Sequence, residues 1–158
     1  MGAIVHTLHV ILAGVWLGGV VFTTLVVSPA LKAIKWSEAY RVGVRSAIGK
    51  RYAKVGTANL VLLLVFAVLD GAFVGFGAWL YAEYALLVLL CALVAVHGAY
   101  FGRRLKELAE AEQKAGGREE ARSLAIRRRS LQRASLRISI VDLAISVAVV
   151  ALAVGAGQ

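Results

Sequence analysis

The sequence predicts an all-α integral membrane protein, in which a single domain, residues 1–158, forms a bundle of four transmembrane helices. Hydrophobic residues make up 60% of the chain, and the mean hydropathy is +0.78, whereas only about half of a soluble domain is apolar. Four long apolar runs almost without charge lie at about residues 3–27, 55–77, 79–101 and 136–156. Each run can cross a hydrocarbon core of about 30 Å as a helix.

The first span opens with the stretch GAIVHTLHVILAGVWLGGVVF. This stretch lacks the basic start and the small-residue end of a cleavable signal peptide and is too long for one, so we expect it to remain in the protein. Gly14 and Gly18 have the G-x-x-x-G spacing that allows two membrane helices to approach closely. Pro29 is expected to stop or kink the helix. The segment after Pro29 has apolar residues at helical spacing, which predicts an interfacial helix.

A short turn, VGFGAW, separates spans two and three, and a long polar segment separates spans three and four. The glycine pair Gly116-Gly117 lies in the middle of this polar segment. Glycine pairs interrupt helices, so the segment is expected to form two helical extensions with a break between them. Its charged residues suit a solvated helix face, and we assign it no chemistry.

The positive charges of the chain are confined to two segments. All 18 Lys and Arg residues lie between spans one and two, or between spans three and four and at the edge of span four. The positive-inside rule therefore places both segments in the cytoplasm and both termini outside a plasma (inner) membrane. The net charge of +9 indicates contact with anionic lipid rather than with nucleic acid. A homo-oligomer or a larger membrane complex remains open as a further partner.

Ionisable residues inside membrane spans are costly and therefore indicate functional sites. Within each span, helical phase places the polar residues on one face, which predicts a bundle with a polar interior. Depth at about 1.5 Å per residue divides them into two layers. The outer layer contains His6, His9, Asp70 and Glu83, and the inner layer contains Asn59, His97 and Asp142.

The outer layer offers two imidazoles, one turn apart on span one, and two carboxylates. Such a set of ligands suits Zn²⁺, Cu²⁺ or another borderline metal. The alternative is that the histidines only anchor the helix while the acids lie at the water interface.

The inner layer places His97 within reach of Asp142. A histidine held by a carboxylate is the arrangement that orients a metal or haem ligand. It is equally the way in which a buried histidine and aspartate satisfy each other. A haem held between His9 and His97 is a further possibility, but the two depths differ by about 18 Å. If haem binds, one axial position must be filled by another group.

Several stretches together resemble the copper resistance protein D family of membrane proteins. They are LHVILAGVWLGGVVF, the following SPAL, VAVHGAYFGRRL in span three, and the basic stretch before the last apolar helix. The resemblance extends over all four spans and implies copper handling. It places His9, Trp16 and His97 at recurrent positions of that family. The sequence departs from the pattern at Gly98, where an acidic residue often follows the histidine, and Asp142 could take that role.

A second, weaker likeness is to the four-helix haem-binding membrane proteins that oxidise protoporphyrinogen, which also carry an early histidine in span one. The leading functional hypothesis is thus metal binding or transport, with copper as the ion. The alternatives are a haem b protein in electron transfer or oxidation, and an accessory subunit of a membrane complex. Cys91 is the only soft ligand in a span, which favours Cu²⁺ over Cu⁺. No nucleophile–base set, phosphate loop or Cys-x-x-Cys motif is present, so no catalytic residue is predicted.

The topology can be checked by cysteine labelling in intact cells. A cysteine introduced at Gly77, in the turn without charges, should react with a membrane-impermeant maleimide from outside. A cysteine at Gly117, in the basic segment, should react only after the cells are lysed, because the positive-inside rule places it in the cytoplasm. The reverse labelling pattern would refute the assignment.

Overall fold

The computed structural model describes residues 1–155, with the side chains of all but four of them (38, 39, 42 and 74). Over this range the chain is all-α. The helices are α1 (Gly2–Val21), α2 (Ser28–Ala33), α3 (Glu38–Val74), α4 (Ala78–Val96), α5 (Arg103–Lys114) and α6 (Arg118–Gly155). Two π-helical turns, Phe22–Val27 and His97–Gly102, join α1 to α2 and α4 to α5.

Four helical stretches are long and apolar enough to cross a membrane, which confirms the prediction of four spans. In the described part of the chain they are Gly2–Ala33, Gly43–Phe73, Ala78–Lys114 and Arg118–Gly155. The protein is therefore a multi-pass membrane protein in its architecture. Large apolar side chains cover the outside of these helices, as expected for a surface in contact with lipid. Examples that are at least half exposed are Ile4, Ile11, Val15, Val61, Val88 and Val147.

The first helix extends further than the sequence predicted. Pro29 does not stop it, since the backbone is helical before the proline and stays helical through it to Ala33. The widened turn at Phe22–Val27 comes directly before α2. A proline ring crowds the carbonyl four residues earlier, and a wider turn relieves such crowding. The helical stretch ends at Ala33, and Ile34 is extended.

The segment expected to form a separate interfacial helix is instead the first part of α3. Ser37 starts this helix, and its hydroxyl oxygen accepts a hydrogen bond of 3.3 Å from the backbone N–H of Tyr40. From there the helix runs without a break to Val74. The serine cap starts the helix. No proline interrupts the residues that follow, so the helix continues into the membrane-spanning part. The helix ends at Gly75, whose φ of 99° favours glycine.

The break predicted at Gly116-Gly117 is confirmed, since α5 ends at Lys114 and α6 begins at Arg118. These two helices then pack against each other as a hairpin. Arg128 Nε donates a hydrogen bond of 2.8 Å to Glu112 Oε2 across the hairpin, and the arginine side chain is only 8% exposed. This contact ties the long polar segment to the start of the fourth span.

In the bundle α1 packs against α3 and α6, and α4 packs against α6 and, less extensively, against α3. Helices α1 and α4 are therefore diagonal partners across the bundle axis. The centre is filled by Trp16, Leu63, Leu87, Leu90 and Val149, which are almost fully buried.

Helices α1 and α3 approach each other closely at glycines other than the G-x-x-x-G pair. A Cβ at Gly19 would lie 2.6 Å from the Tyr52 hydroxyl oxygen, and one at Gly56 would lie 3.2 Å from Trp16 Cζ3. A Cβ at Gly14 or Gly18 would have no atom within 4 Å. The glycines that bring α1 and α3 together are thus Gly19 and Gly56, while the G-x-x-x-G pair faces away from the bundle.

Candidate functional site

The outer layer contains two histidine–carboxylate pairs, built by three helices. His6 and His9 lie one turn apart on α1. His6 Nδ1 lies 2.8 Å from Asp70 Oδ2 of α3, and His9 Nε2 lies 2.7 Å from Glu83 Oε1 of α4. An ionised carboxylate only accepts hydrogen bonds, so the ring nitrogen is the donor in each pair. The structure thus brings together all four residues that were predicted for this layer.

The two pairs differ in their exposure to solvent. The side chains of His9 and Glu83 are both 0% exposed, whereas that of His6 is 24% exposed and that of Asp70 is 1% exposed. Because α1 and α4 are diagonal partners, the His9–Glu83 bond crosses the middle of the bundle. Polar groups are stable in such an interior only when they are paired. The pair therefore holds the relative positions of α1 and α4.

Each of the four side chains keeps one polar atom without a partner. Among the described residues, His9 Nδ1, Glu83 Oε2 and Asp70 Oδ1 are buried and make no hydrogen bond. His6 Nε2 also has no partner in the described part of the chain. An unsatisfied buried polar atom costs about 1–3 kcal/mol. The layer therefore has the capacity to bind a further polar or charged species.

The chemistry of these atoms suits a borderline metal ion, since imidazole nitrogens and carboxylate oxygens bind Zn²⁺ and Cu²⁺. Their arrangement does not yet form a complete site. Within residues 1–155, no three His, Cys, Asp or Glu side chains are placed to hold one metal ion together. An ion bound here would first contact one histidine, and one of the pairs would have to open to supply further ligands.

Two surface clefts reach this layer. One, of about 270 Å³, is lined by His6, Thr7, Val10, Ile11 and Val154. The other, of about 500 Å³, is lined by Asp70, Gly75, Phe76, Gly77, Trp79, Leu80 and Gly155. The two members of the more exposed pair thus line different clefts. The more deeply buried pair, His9 and Glu83, lines neither of them.

The residues predicted for the inner layer do not form one cluster. Asn59 Nδ2 donates to the backbone oxygen of Leu12 at 3.1 Å. His97 Nε2 lies 3.3 Å from the Ser135 hydroxyl oxygen. Asp142 Oδ1 is buried and has no hydrogen-bond partner in the part of the chain that the structure describes.

The expected pairing of His97 with Asp142 is therefore wrong in this structure. Ser135 and Asp142 both belong to α6, but seven residues separate them, about 10 Å along the helix axis. His97 lies level with Ser135, so the carboxyl group of Asp142 is more than one turn too far along the helix. Depths counted from estimated span ends could not resolve this offset.

One haem iron cannot be held by His9 and His97 together in this fold. His9 bonds to Glu83, and Glu83 and His97 are fourteen residues apart on the continuous helical stretch of α4 and its π-helical turn. That spacing corresponds to about 21 Å. Two axial ligands must each lie about 2 Å from the same iron.

One central contact, which joins α1 to α6, was not predicted from the sequence. Trp16 Nε1 donates a hydrogen bond of 3.0 Å to the Ser146 hydroxyl oxygen, and that hydroxyl donates to the backbone oxygen of Asp142 at 2.7 Å. The signal was present in the seven-residue spacing of His9 and Trp16, which places both side chains on the interior face of α1. Only the structure shows which helix the indole meets.

The family model that matches this chain is described as a domain of unknown function, DUF4149, and it covers residues 11–114. The chain belongs to this family. No curated protein and no solved structure matches it. The match includes Asp70 and Glu83 but begins after the two histidines that bind them. These comparisons give no evidence for the copper resistance protein D family that the sequence resembles.

A double-mutant cycle on His9 and Glu83 tests the buried pair. Each single substitution, His9→Ala or Glu83→Ala, should destabilise the protein by about 3–5 kcal/mol, because it leaves the other group buried without a partner. The double variant should cost clearly less than the sum of the two. The measurement is reversible unfolding in detergent micelles, followed by circular dichroism.

The matched control is the same cycle on His97 and Asp142, which do not bond to each other. Their effects should add to within about 0.5 kcal/mol. Additive effects at His9 and Glu83, or strong coupling between His97 and Asp142, would contradict the pairing described above.

Proposed function

We propose that this membrane protein binds and handles a divalent transition metal ion at its outer polar layer, and that His6 is the first residue to contact the ion. The observation that carries this proposal is the state of the His6 ring. Its Nδ1 is held by a buried carboxylate, while its Nε2 has no partner among the described residues. A histidine oriented in this way through one nitrogen is the usual ligand for a metal at the other nitrogen.

The deeper pair supplies the additional ligands. His9 lies one turn below His6, and the free atoms His9 Nδ1 and Glu83 Oε2 are both buried in the same layer. Either atom could become a ligand of an ion at His6 only after its pair opens, because no three side chains within residues 1–155 are placed to hold one ion together. Exchange of a hydrogen bond for a metal bond in one pair would bring the ion from the cleft into the bundle.

Copper is the ion that the resemblance to the copper resistance protein D family suggests, and the donor atoms favour its divalent form. Nitrogen and oxygen ligands suit Cu²⁺, which binds such sites more tightly than other first-row divalent ions do. A route for Cu⁺ would require a series of sulfur ligands, whereas the chain has one cysteine and one methionine. The proposed ligand is therefore Cu²⁺, and Zn²⁺ is the ion expected to compete with it for the site.

The proposed orientation places both termini outside the plasma membrane, with the outer layer facing the extracytoplasmic side. The long basic segments would then lie at the cytoplasmic surface, in contact with anionic lipid. An ion would reach His6 from outside the cell. A homo-oligomer or a larger membrane complex stays open as a further partner.

Metal titration of the purified, chelator-treated protein in detergent tests the proposal. Isothermal titration should show saturable binding of Cu²⁺. His6→Ala should abolish tight binding, and Asp70→Asn should weaken it about 10–100-fold, because it removes the group that orients the ligand. His9→Ala should weaken it far more than His97→Ala, which is the control. Affinity should also decrease as the pH is lowered, because protons compete with the metal for the rings.

The same sample distinguishes the alternative functions by absorption. A Soret band in the protein as purified, lost in His9→Ala or His97→Ala, would indicate a haem b protein and contradict the metal proposal. Equal loss of copper affinity at His9 and His97 would also contradict it. A protein that binds neither copper nor haem would be better explained as an accessory subunit.

A further inference from the structure

The larger of the two clefts lies at the end of the bundle where α3 turns into α4. Its volume of about 500 Å³ falls within the range of about 300–1,000 Å³ that is typical of sites for small organic molecules. The turn Gly75–Gly77 and the last residue of α6, Gly155, form its rim together with two aromatic side chains, Phe76 and Trp79.

The aromatic side of the cleft is held in a defined position. Trp79 Nε1 donates a hydrogen bond of 3.1 Å to the backbone oxygen of Leu152, which joins α4 to α6. Gly155 lies under the indole, since a Cβ there would be 3.2 Å from Trp79 Cζ2. The indole N–H is therefore already used within the protein. The Trp79 and Phe76 side chains remain 55% and 56% exposed, so that they can contact a ligand.

The inner side of the cleft carries a carboxylate. Among the described residues that line this cleft, Asp70 is the only charged one, and it is 1% exposed. Its Oδ2 is bonded to His6, while Oδ1 is buried and has no partner among the described residues. A neutral donor would satisfy a lone pair of Oδ1 but not the charge of the carboxylate, and an anion would satisfy neither, whereas a cationic hydrogen-bond donor would satisfy both.

We infer that this cleft binds an organic cation, namely a primary ammonium group attached to an apolar or aromatic body. The ammonium group would donate to Asp70 Oδ1, and the body would pack against the exposed rings of Trp79 and Phe76. Because Oδ1 is closed off from water, binding includes a small shift of the Asp70 or Leu80 side chain. The inference goes beyond the metal proposal, because it uses the other oxygen of Asp70 and two rings that a metal ion would not need.

The probe for this site is benzylammonium, and its matched control is benzyl alcohol, which has the same ring but no charge. Isothermal titration of the whole protein in detergent, with a chelator present to exclude metals, should show saturable binding of benzylammonium. Benzyl alcohol should bind at least 10-fold more weakly. Asp70→Asn should reduce benzylammonium affinity at least 10-fold, and Asp142→Asn, the matched substitution at the only other aspartate, should leave it unchanged.

The rings give a second, independent variant in case Asp70→Asn does not fold. Trp79→Leu should weaken benzylammonium binding several-fold, because the packing of the benzyl ring on the indole is lost while an apolar side chain remains. Equal affinities for benzylammonium and benzyl alcohol, uptake that never saturates, or equal effects of Asp70→Asn and Asp142→Asn would overturn the inference. Copper titration is a separate experiment, so either proposal can fail without the other.

Discussion

The hydrogen bond between His9 and Glu83 is the interaction on which the rest of the structure depends. It crosses the bundle between two helices that are diagonal partners, and both of its side chains are fully buried. Apolar packing between membrane helices has little power to select one rotation or one depth, because lipid tails offer a similar environment. A buried polar pair does select them, because every other arrangement leaves a polar group exposed to hydrocarbon.

Other polar contacts of α1 follow from the position that this pair gives the helix. One turn away, His6 meets Asp70, and one turn in the other direction the backbone oxygen of Leu12 accepts from Asn59. Seven residues beyond His9, Trp16 reaches Ser146. One face of α1 therefore makes a polar contact with each of the other three spans. The remaining faces are apolar and suit contact with lipid.

Much of the fold could be predicted because hydropathy and helical period are local properties of the sequence. They identified four spans, the break at Gly116-Gly117 and the four residues of the outer layer. They could not show how far a helix continues outside the membrane, so the end of the first helix and the start of α3 were misjudged. They also could not pair residues between helices. To pair or separate His97 and Asp142, the position of α4 along α6 must be known to within one helical turn, and hydropathy does not give that position. For the outer layer they identified the four residues but not which histidine meets which carboxylate, because that depends on the packing of the helices.

Asp70 takes part in both of the proposed binding modes. One of its oxygens orients His6, which is the proposed first ligand of a metal ion, and the other faces no partner in the described structure. A carboxylate that is buried yet half satisfied in this way is better explained by binding than by stability, because the unpaired oxygen lowers the stability of the fold.

The central claim is that the outer layer, and no other part of the bundle, receives the metal ion. The chain has only three histidines, so protein labelled with ¹⁵N-histidine gives one set of ring signals for each, assigned through single substitutions. Cu²⁺ is paramagnetic and broadens the signals of nearby nuclei. Added at less than one equivalent, it should broaden the ring signals of His6 and His9. The ring signals of His97 should stay unchanged, because His97 lies about 21 Å along the helix from Glu83, the partner of His9. Broadening of His97 before or together with His6 would contradict the account.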